Sequence, residues 1–576
     1  MPVVNIAAPN HAGISHNTYK EFNTGTQGAV LNNATQAVKS QLAGQISANA
    51  NLHGKAAELI INEVIGSSRS ELLGQLEVAG QKANVMIANP NGITCDGCGF
   101  INTSGAIITT GKPQFDKQGA LEALKVTKGQ ITIGGKGLNG QSTDYVDIIS
   151  RATELNGKIQ AKNLALTQGA NQISFKDGTA KTIAGEGNRP QLAVDTKALG
   201  GMYANKIRLV ATENGVGVNL KNITSHQQDI TLSANGKMEL GNIKAKTDLN
   251  AGAKEINIGP NSPVQAERDI VLASSKLSNK SSVTAGQDMR IYGDTISNIG
   301  TKALLQANNN MWLQKNVQGD KSKLIENRSA TIKTNQGDLV ARSERMLNIR
   351  NLYLLSNIRP EKGAFFDFSN VDDLSDMTNW FFIENYDSSL ISSGGNLYIK
   401  SDNLLNVNSE INGIGDVFLT GGRFTSTKFI NTKFPYSENQ NLYPHFIIDS
   451  SHTIFNNLYY RYRNKQENSR EIHILDRNNS DIKQQDWNII QNNTSNETKV
   501  DPFTNKTMLS SGKNLVIDFL GEVKITSNKE LVNENSLNIP GWKKQALNLL
   551  NSEADDIKSK NNIILNANGF TLNKFS

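Results

Sequence analysis

The chain has 576 residues, of which 37% are hydrophobic and only 6% aromatic, with 48 glycines against 12 prolines. That length exceeds what one compact core fills, so the composition favours a solenoid of short strands joined by polar turns. The formal net charge of +6 is nearly neutral over this length and indicates no nucleic-acid-binding surface. Because no apolar run approaches the ~18 residues of a membrane-spanning helix, we expect no transmembrane segment.

The most informative segment runs from Asn89 to Asn102. Its first four residues, Asn-Pro-Asn-Gly, suit a type I turn, because proline fixes φ, asparagine bonds to local backbone and glycine relieves the exit. Cys95 and Cys98, which are the only cysteines, follow as a Cys-x-x-Cys pair. A zinc site lacks a second ligand pair and a redox site lacks a βαβ context. We therefore favour a local disulfide over a pair of packing thiols.

From residue 200 onward, apolar residues alternate with polar ones, which is the period-2 pattern of strands. Asp229, Asp248, Asp269 and Asp288 each precede an apolar triplet and recur every 19 to 21 residues. A fixed period near twenty indicates stacked repeats, and strand units that stack in this way form a β-helix. We therefore predict an all-β, right-handed parallel β-helix with the aspartates at its turns. Later repeats begin at Asp338, Asn396, Asp416, Asn514 and Asn562.

Two stretches, about 351–390 and 430–510, break this rhythm and are predicted to be extra-helical loops or strands. The second contains a candidate adhesive patch made of Tyr459, Tyr460, Arg461, Tyr462 and Arg463. Aromatic faces and guanidinium groups suit sugar rings and acidic glycans, although a packing patch under a loop would have the same composition. Near the carboxyl end, the apolar spacing of residues 542–550 predicts a short amphipathic helix.

We expect no enzyme, no cofactor and no metal site. The sequence contains no nucleophile elbow, phosphate loop or dinucleotide motif, and its seven histidines are scattered. His16 is predicted to be a structural hydrogen-bonding residue. A β-helix polysaccharide lyase or hydrolase is the alternative, in which the stacked aspartates would supply carboxylates on one face. Their position directly before each apolar triplet favours turn residues instead.

Several segments resemble, in order and spacing, the amino-terminal domain of TpsA-type two-partner secretion exoproteins. This family includes filamentous haemagglutinins, contact-dependent growth inhibition proteins and secreted haemolysins. Besides residues 89–102, the resemblance is carried by Pro2–Ala7, Gly13–Asn17, Leu31–Asn33, Ile61–Val64, Glu77–Gly80, Leu199–Ala204 and Gly215–Asn219. It covers roughly residues 2–220, and a weaker resemblance to the haemagglutinin shaft continues beyond them.

The resemblance implies a secretion domain with an amino-terminal cap at 1–250, haemagglutinin-type repeats at 251–350, and a continued, interrupted β-helix at 351–576. It also implies two motifs that a transporter recognises. The first comprises Asn89, Pro90, Asn91, Gly92 and Ile93. The second is degenerate and comprises Asn49, Ala50, Asn51 and Leu52, in which alanine replaces the proline that would restrict φ.

The implied partner is an outer-membrane TpsB-type β-barrel transporter with periplasmic POTRA domains. The chain would cross the periplasm and outer membrane of a Gram-negative bacterium and become a secreted or cell-surface protein. Residues 1–30 show no secretory signal pattern. The resemblance implies a reason, because family members carry a long signal peptide that is removed from the mature chain. A host or neighbouring-cell receptor or glycan is a further expected partner. Within the family, residues 150–220 resemble the adhesins and growth-inhibition toxin carriers more than the haemolysins.

Overall fold

The computed structural model describes residues 1–350, 388–428 and 509–527, together with short strands between and beyond these ranges. These strands lie at 352–356, 364–365, 380–384, 459–460, 474–475, 537–540, 545–546, 557–560, 563–567 and 569–574. The chain divides into two compact units, Met1–Gly293 and Asp294–Ser576. Among the described residues, no helix is long and apolar enough to cross a membrane.

The first unit is a parallel β-helix whose coils contribute to three sheets. Sheet A contains, in order of pairing, Val3–Asn5, Ala29–Asn33, Gln75–Gly80, Cys98–Ile101, Leu138–Gly140, Lys158–Ala161, Gly201–Ala204, Gly217–Ser225, Lys237–Ala245, Val264–Ala266 and Ser282–Ala285. Sheet B contains Ser70–Leu72, Ile93–Cys95, Gln130–Ile133, Ala152–Leu155, Leu192–Thr196, the first halves of Gly217–Ser225 and Lys237–Ala245, Glu255–Ile258 and Lys276–Asn279. Sheet C contains Ile14–Tyr19, Leu59–Val64, Ala83–Ala88, Thr103–Thr109, Tyr145–Ser150, Asn163–Gln168, Lys206–Ala211, Ile230–Ala234, Leu249–Gly252, Ile270–Ala273 and Met289–Tyr292.

The alternating side chains explain this arrangement. In Ile230–Ala234, the inward Ile230 and Leu232 are buried and the intervening polar side chains point outward. The same alternation recurs in the strands stacked above and below, so one continuous apolar core runs through the first unit. Asn222 and Asn242 adopt positive φ values of 57° and 54° where their strands turn from sheet B into sheet A. The predicted all-β parallel β-helix is therefore confirmed.

Two additions cover the amino-terminal coils. A hairpin of Val38–Ser40 and Gly44–Ile46 and a 3₁₀ turn at Ala50–Leu52 lie beside the first coils. A four-stranded antiparallel sheet, outside the helix, comprises Lys112–Phe115, Leu121–Val126, Asn171–Ser174 and Ala180–Thr182.

The antiparallel sheet packs on the outer face of sheet C. Leu124, Val126 and Ile173 contact Ile61 and Ile107, which point away from the helix core. Sheet C is thus buried on both faces over these coils, which explains its continuous apolar runs, because a strand covered on both sides needs no polar face.

The second unit repeats the three-sheet plan. Sheet D contains Thr295–Ile299, Ser322–Arg328, the second halves of Leu339–Ile349, Leu397–Val407 and Val417–Lys428, then Glu522–Ser527 and Gly569–Lys574. Sheet E contains Leu304–Ala307, Thr331–Thr334, Leu390–Ser393, Glu410–Gly413, Leu509–Ser511 and Ile557–Ser559. Sheet F contains Met311–Gln314, the first halves of the same three long strands, Leu515–Phe519 and Ile563–Asn566.

A buried row of asparagines joins successive coils of the second unit. Asn298 donates to Asn327 at 2.9 Å, Asn327 to Asn348 at 3.0 Å, and Asn348 to Asn406 at 2.9 Å. All four side chains are fully buried. Asn327 and Asn348 each donate to the next asparagine and accept from the preceding one, so the row satisfies these buried amides without water.

The remaining described strands pair antiparallel. They are Leu352–Ser356 with Ala364–Phe365 and Trp380–Glu384, Tyr459–Tyr460 with Ile474–Leu475, Leu537–Pro540 with Gly569–Lys574, and Gln545–Ala546 with Ile563–Asn566. Gln545 and Ala546 lie where the sequence predicted a helix, so that prediction is wrong at these positions. An apolar spacing over so few residues does not separate a helix from a strand, and strand pairing decides the conformation.

Candidate transporter-recognition turns

The first candidate motif forms the corner between the sheet C strand Ala83–Ala88 and the sheet B strand Ile93–Cys95. The Gly92 amide donates to the Asn89 carbonyl at 3.1 Å, which closes a turn of four residues. Gly92 has a φ of +113°. A Cβ atom there would collide with the guanidinium of Arg69 and lie 2.9 Å from the Gln130 carbonyl, so glycine is required.

The side chain of Asn89 lies inside the fold. It is fully buried, and its Nδ2 donates to the Ser68 carbonyl and to Ser70 Oγ, both at 2.9 Å. Its Oδ1 accepts the Asn91 amide at 2.9 Å, which makes an Asx turn. The preceding coil therefore satisfies the Asn89 side chain, and none of its hydrogen-bonding capacity faces solvent.

Asn91 makes a second connection to the preceding coil. Its Nδ2 donates to the Gly66 carbonyl at 2.7 Å and to Asn89 Oδ1 at 3.0 Å. Pro90 and Asn91 are partly exposed, whereas Ile93 is fully buried in the core. In the folded domain this motif thus presents a turn surface at Pro90 and Asn91, while its amide donors are used internally.

The degenerate second motif has the same hydrogen-bond arrangement. Asn49 Oδ1 accepts the Asn51 amide at 3.1 Å, and Asn49 Nδ2 donates to the Ile6 and Asn32 carbonyls at 2.9 Å each. Asn51 Nδ2 reaches the Ile6 carbonyl at 3.3 Å. The Leu52 amide closes the turn on the Asn49 carbonyl at 3.2 Å, and the Leu52 side chain is buried. Hydrogen bonds therefore fix this turn although Ala50 lacks the ring of proline.

The disulfide lies at the next corner, between sheets B and A. It joins Cys95 to Cys98 with a Cα–Cα distance of 5.3 Å, and both residues are buried. The amide of Gly97 donates to the Gly137 carbonyl at 2.8 Å, and Asp96 Oδ1 accepts the Lys136 amide at 2.8 Å. Hydrogen bonds from this corner therefore hold the following coil. No group of three metal-ligating side chains occurs in the part of the chain that the structure describes.

The repeated aspartates form a ladder at the corner between sheets A and C. Asp248 Oδ1 accepts the Asp269 amide at 3.0 Å, and Asp269 Oδ1 accepts the Asp288 amide at 3.0 Å. Arg290 lies 3.5 Å from Asp288 and 3.9 Å from Asp269, which offsets the stacked negative charge. Asp248 and Asp269 thus each cap the following coil, which is the turn role that the sequence predicted for the repeated aspartates.

Two other features predicted from the sequence are His16 and the candidate adhesive patch at residues 459–463. His16 Nε2 lies 2.6 Å from Glu63 Oε2, and its ring lies 4.9 Å from Phe115. The residues Arg461, Tyr462 and Arg463 lie outside the described part of the chain. Tyr459 and Tyr460 are described only as a backbone strand, so nothing is known of the surface their side chains form.

The most deeply buried ion pair in the described part of the chain was not predicted from the sequence. Arg151 donates from Nε and Nη2 to the two carboxylate oxygens of Glu213 at 3.2 and 3.0 Å, and both side chains are under 10% exposed. Arg151 Nη1 also donates to the Glu186 carbonyl at 2.5 Å. The pair therefore ties the segment that leaves the antiparallel sheet to two coils of the helix.

Several known proteins are similar to the amino-terminal part of the chain. The family model described as the TPS secretion domain matches residues 1–240. A "tRNA nuclease CdiA" of Yersinia mollaretii is 43% identical over 373 residues, which are 62% of this chain and 12% of the relative. A "16S rRNA endonuclease CdiA" of Enterobacter cloacae is 54% identical over 260 residues, 45% of this chain and 8% of the relative.

Two further proteins are similar to parts of the chain. A "tRNA nuclease CdiA-2" of Burkholderia pseudomallei is 43% identical over 239 residues, 41% of this chain and 8% of the relative. A solved structure titled "Crystal structure of filamentous hemagglutinin secretion domain" is 29% identical and covers 49% of this chain and 93% of its own, with a TM-score of 0.39. The chain spans only about a tenth of the length of these curated relatives. Residues 1–240 thus match the TPS secretion domain, the amino-terminal domain that the sequence resemblance predicted.

Proposed function

We propose that the first unit is an export domain that an outer-membrane TpsB-type transporter recognises through its periplasmic POTRA domains. The TPS match over residues 1–240 supports this proposal, because the family resemblance implies that partner and that route. The chain would be delivered to the surface of a Gram-negative bacterium and fold there. The proposed boundaries remain a secretion domain at 1–250, repeats at 251–350, and an interrupted shaft at 351–576.

The single observation that shapes this proposal is the burial of the motif asparagines. Asn89 and Asn49 are 0% and 3% exposed, and the donors of both side chains bond to other coils. A partner that reads these amides must meet them before the coils close. We therefore propose that the transporter binds both motifs in the unfolded chain, and that the same side chains lock the coils after export.

The proposed role of the whole protein is toxin delivery by contact-dependent growth inhibition. Relatives named as nucleases support it, but this chain aligns with only 8 to 12% of their length. We propose that the aligned region supplies export and the start of a shaft and carries no nuclease activity. An adhesin shaft is the second candidate, and a receptor or glycan bound through residues 459–463 stays a prediction. The aspartate ladder argues against a polysaccharide lyase.

A secretion assay tests the export proposal. The variant Asn89→Ala/Asn91→Ala, co-expressed with the cognate transporter, should reach the medium about tenfold less than the wild type, because it loses several hydrogen-bonding groups that the transporter would read. The measurement is the ratio of exported to periplasmic chain by immunoblot.

A matched control separates recognition from stability. Asn32 and Asn33 are buried like Asn89, and their side chains bond to other segments. Asn32 Nδ2 donates to the Ser47 carbonyl at 3.1 Å, and Asn33 Nδ2 donates to the Ala57 and Gln81 carbonyls at 2.9 Å each. Asn32→Ala/Asn33→Ala should destabilise the folded domain similarly and yet be exported. Equal export of the motif variant and the wild type, or an equal defect in both double variants, would refute recognition of the motif.

A further inference from the structure

A groove follows the corner between sheets B and A, beside the disulfide. It has a volume of about 410 Å³, and its lining includes Gly97, Cys98, Lys136, Asn139, Lys158 and Gln160. The wall consists of turn residues from successive coils, among them Leu199, which is 78% exposed. Because each coil adds about 4.8 Å, the groove runs along the helix axis and suits an extended ligand.

The floor of the groove presents a column of polar side chains in register. Asn139 pairs with Gln160, and Gln160 pairs with Tyr203 on the next coil of sheet A. On the other side, Asn139 adjoins Gly99, where a Cβ atom would contact the Gln75 amide. The Gln75 amide occupies the space beside Gly99, so the column of polar side chains continues onto the preceding coil.

These amides retain hydrogen-bonding capacity. Within the described residues, the side chains of Gln75 and Gln160 make no hydrogen bond, and Asn139 uses only its Oδ1, which accepts the Gln141 amide at 3.1 Å. Carboxamides offer donors and acceptors to the hydroxyl groups of sugars, and Tyr203 adds an aromatic ring. A hydroxyl-rich ligand would therefore find partners at Asn139 and Gln160 in the groove, and at Gln75 and Tyr203 on the adjoining coils.

Two lysines give the groove a positive charge. Lys136 and Lys158 form no ion pair with any carboxylate that the structure describes, whereas Lys206 and Lys246 elsewhere on this unit lie 3.8 and 3.0 Å from Asp229 and Glu267. Lys158 Nζ instead lies 5.6 Å from the centre of the Tyr203 ring. An anionic ligand would gain two charge contacts without breaking an ion pair.

We propose that this groove binds an acidic oligosaccharide, with Lys136 and Lys158 contacting its carboxylates and Asn139, Gln160 and Tyr203 contacting its hydroxyls and ring faces. The site is independent of export and would act in the folded, surface-exposed domain. The disulfide would hold the Gly97 wall in place. This function extends beyond the proposed delivery role, because it gives the secretion domain an attachment site of its own.

Fluorescence anisotropy with a labelled α-1,4-linked hexagalacturonate and the full chain tests the proposal. Binding should saturate, and Lys136→Ala/Lys158→Ala should weaken it about tenfold, because two charge contacts are lost. The control Lys206→Ala/Lys246→Ala changes the net charge equally and should leave the affinity within about twofold, because both lysines lie outside the groove. Gln160→Leu, which keeps the charge, should weaken binding severalfold.

Two competitors distinguish a sugar site from general attraction to anions. A neutral glucose hexasaccharide should compete weakly, and hexaglutamate, which carries the carboxylates without the sugar hydroxyls, should compete far less than unlabelled hexagalacturonate. Equal competition by hexaglutamate, equal losses in the two double-lysine variants, or absence of saturable binding would each overturn the proposal.

Discussion

The asparagines of the two candidate motifs each hold a turn and join it to another segment. Asn89 accepts from its own turn and donates to the Ser68 carbonyl, and Asn49 does the same with Ile6. The sequence predicted the first turn from the conformational preferences of its residues, and the second only through the family resemblance. It did not identify the acceptors, because these lie in other segments, and only strand register brings them into contact.

The Arg151–Glu213 pair is a second contact between distant segments that the sequence did not predict. Its members are 62 residues apart and neither belongs to a local motif. A buried arginine requires a carboxylate and further acceptors, since an unpaired buried charge is costly. Nothing in the linear sequence distinguishes this arginine from exposed ones, so the structure alone reveals the pair.

Asp147 provides a pH-dependent test at the residue scale. Burial on the outer side of sheet C raises the pKa of Asp147 from 3.8 to about 6, although the positive charge of Arg208 partly opposes the shift. The folded state therefore binds the proton more tightly than the unfolded state. Stability contributed by the protonated form is present at low pH and is lost as pH rises from about 4 to about 6.

Asp147→Asn should consequently stabilise the protein above pH 6. We expect a gain of about 1–3 kcal/mol in the free energy of unfolding at pH 7.5, shrinking towards zero at pH 4. Urea unfolding of both proteins at the two pH values measures the difference. A gain that is equal at both pH values would show that the carboxylate is not titrating in this window.

At the scale of elements, the repeated aspartates were predicted to be turn residues, and the structure places them at one corner of successive coils. The period in the sequence revealed the repeat, but the hydrogen bond from one aspartate amide to the preceding carboxylate depends on stacking. The second unit contains the same ladder with mixed residues, since Asp338 Oδ1 accepts the Asn396 amide and Asn396 Oδ1 accepts the Asp416 amide. A carboxylate and a carboxamide are therefore equivalent as acceptors here.

This equivalence predicts the effect of substituting Asp269. Asp269→Ala removes the acceptor of the Asp288 amide and should weaken the local structure by about 1–2 kcal/mol. Hydrogen exchange of the Asp288 amide should accelerate by roughly tenfold in Asp269→Ala. Asp269→Asn keeps an oxygen acceptor and should leave that exchange rate nearly unchanged. Equal acceleration in both variants would show that the charge of Asp269, and not its hydrogen bond to the Asp288 amide, protects that amide from exchange.

The antiparallel sheet outside the helix was not predicted for residues 112–182. The sequence does contain a signal: Ala106, Ile107 and Ile108 are consecutive apolar residues, as are Val85, Met86 and Ile87 in the strand paired with them. One face of that strand fills the helix core, so the other requires a cover. Which segment supplies the cover depends on long-range packing, and the turn residues between 110 and 190 do not specify it.

At the scale of the molecule, each unit is built from coils that contact mainly their neighbours. Such a solenoid gains stability coil by coil, so folding on the outer surface can retain each exported segment. The buried motif asparagines fit this order of events, because they are available to a partner only until their own coils close. Recognition and folding would then compete for the same side chains.

The most direct test of this competition is binding of the transporter's purified periplasmic region to the full chain, presented either folded or freshly diluted from urea. If the transporter reads the motifs in the unfolded chain, its periplasmic region should capture the unfolded chain rapidly. It should bind the folded chain at least about tenfold more weakly, because folding removes the binding-competent state. Unfolded Asn32→Ala/Asn33→Ala should be captured normally and unfolded Asn89→Ala/Asn91→Ala should not. Equally tight binding of the folded wild-type chain would contradict recognition of the motifs before their coils close.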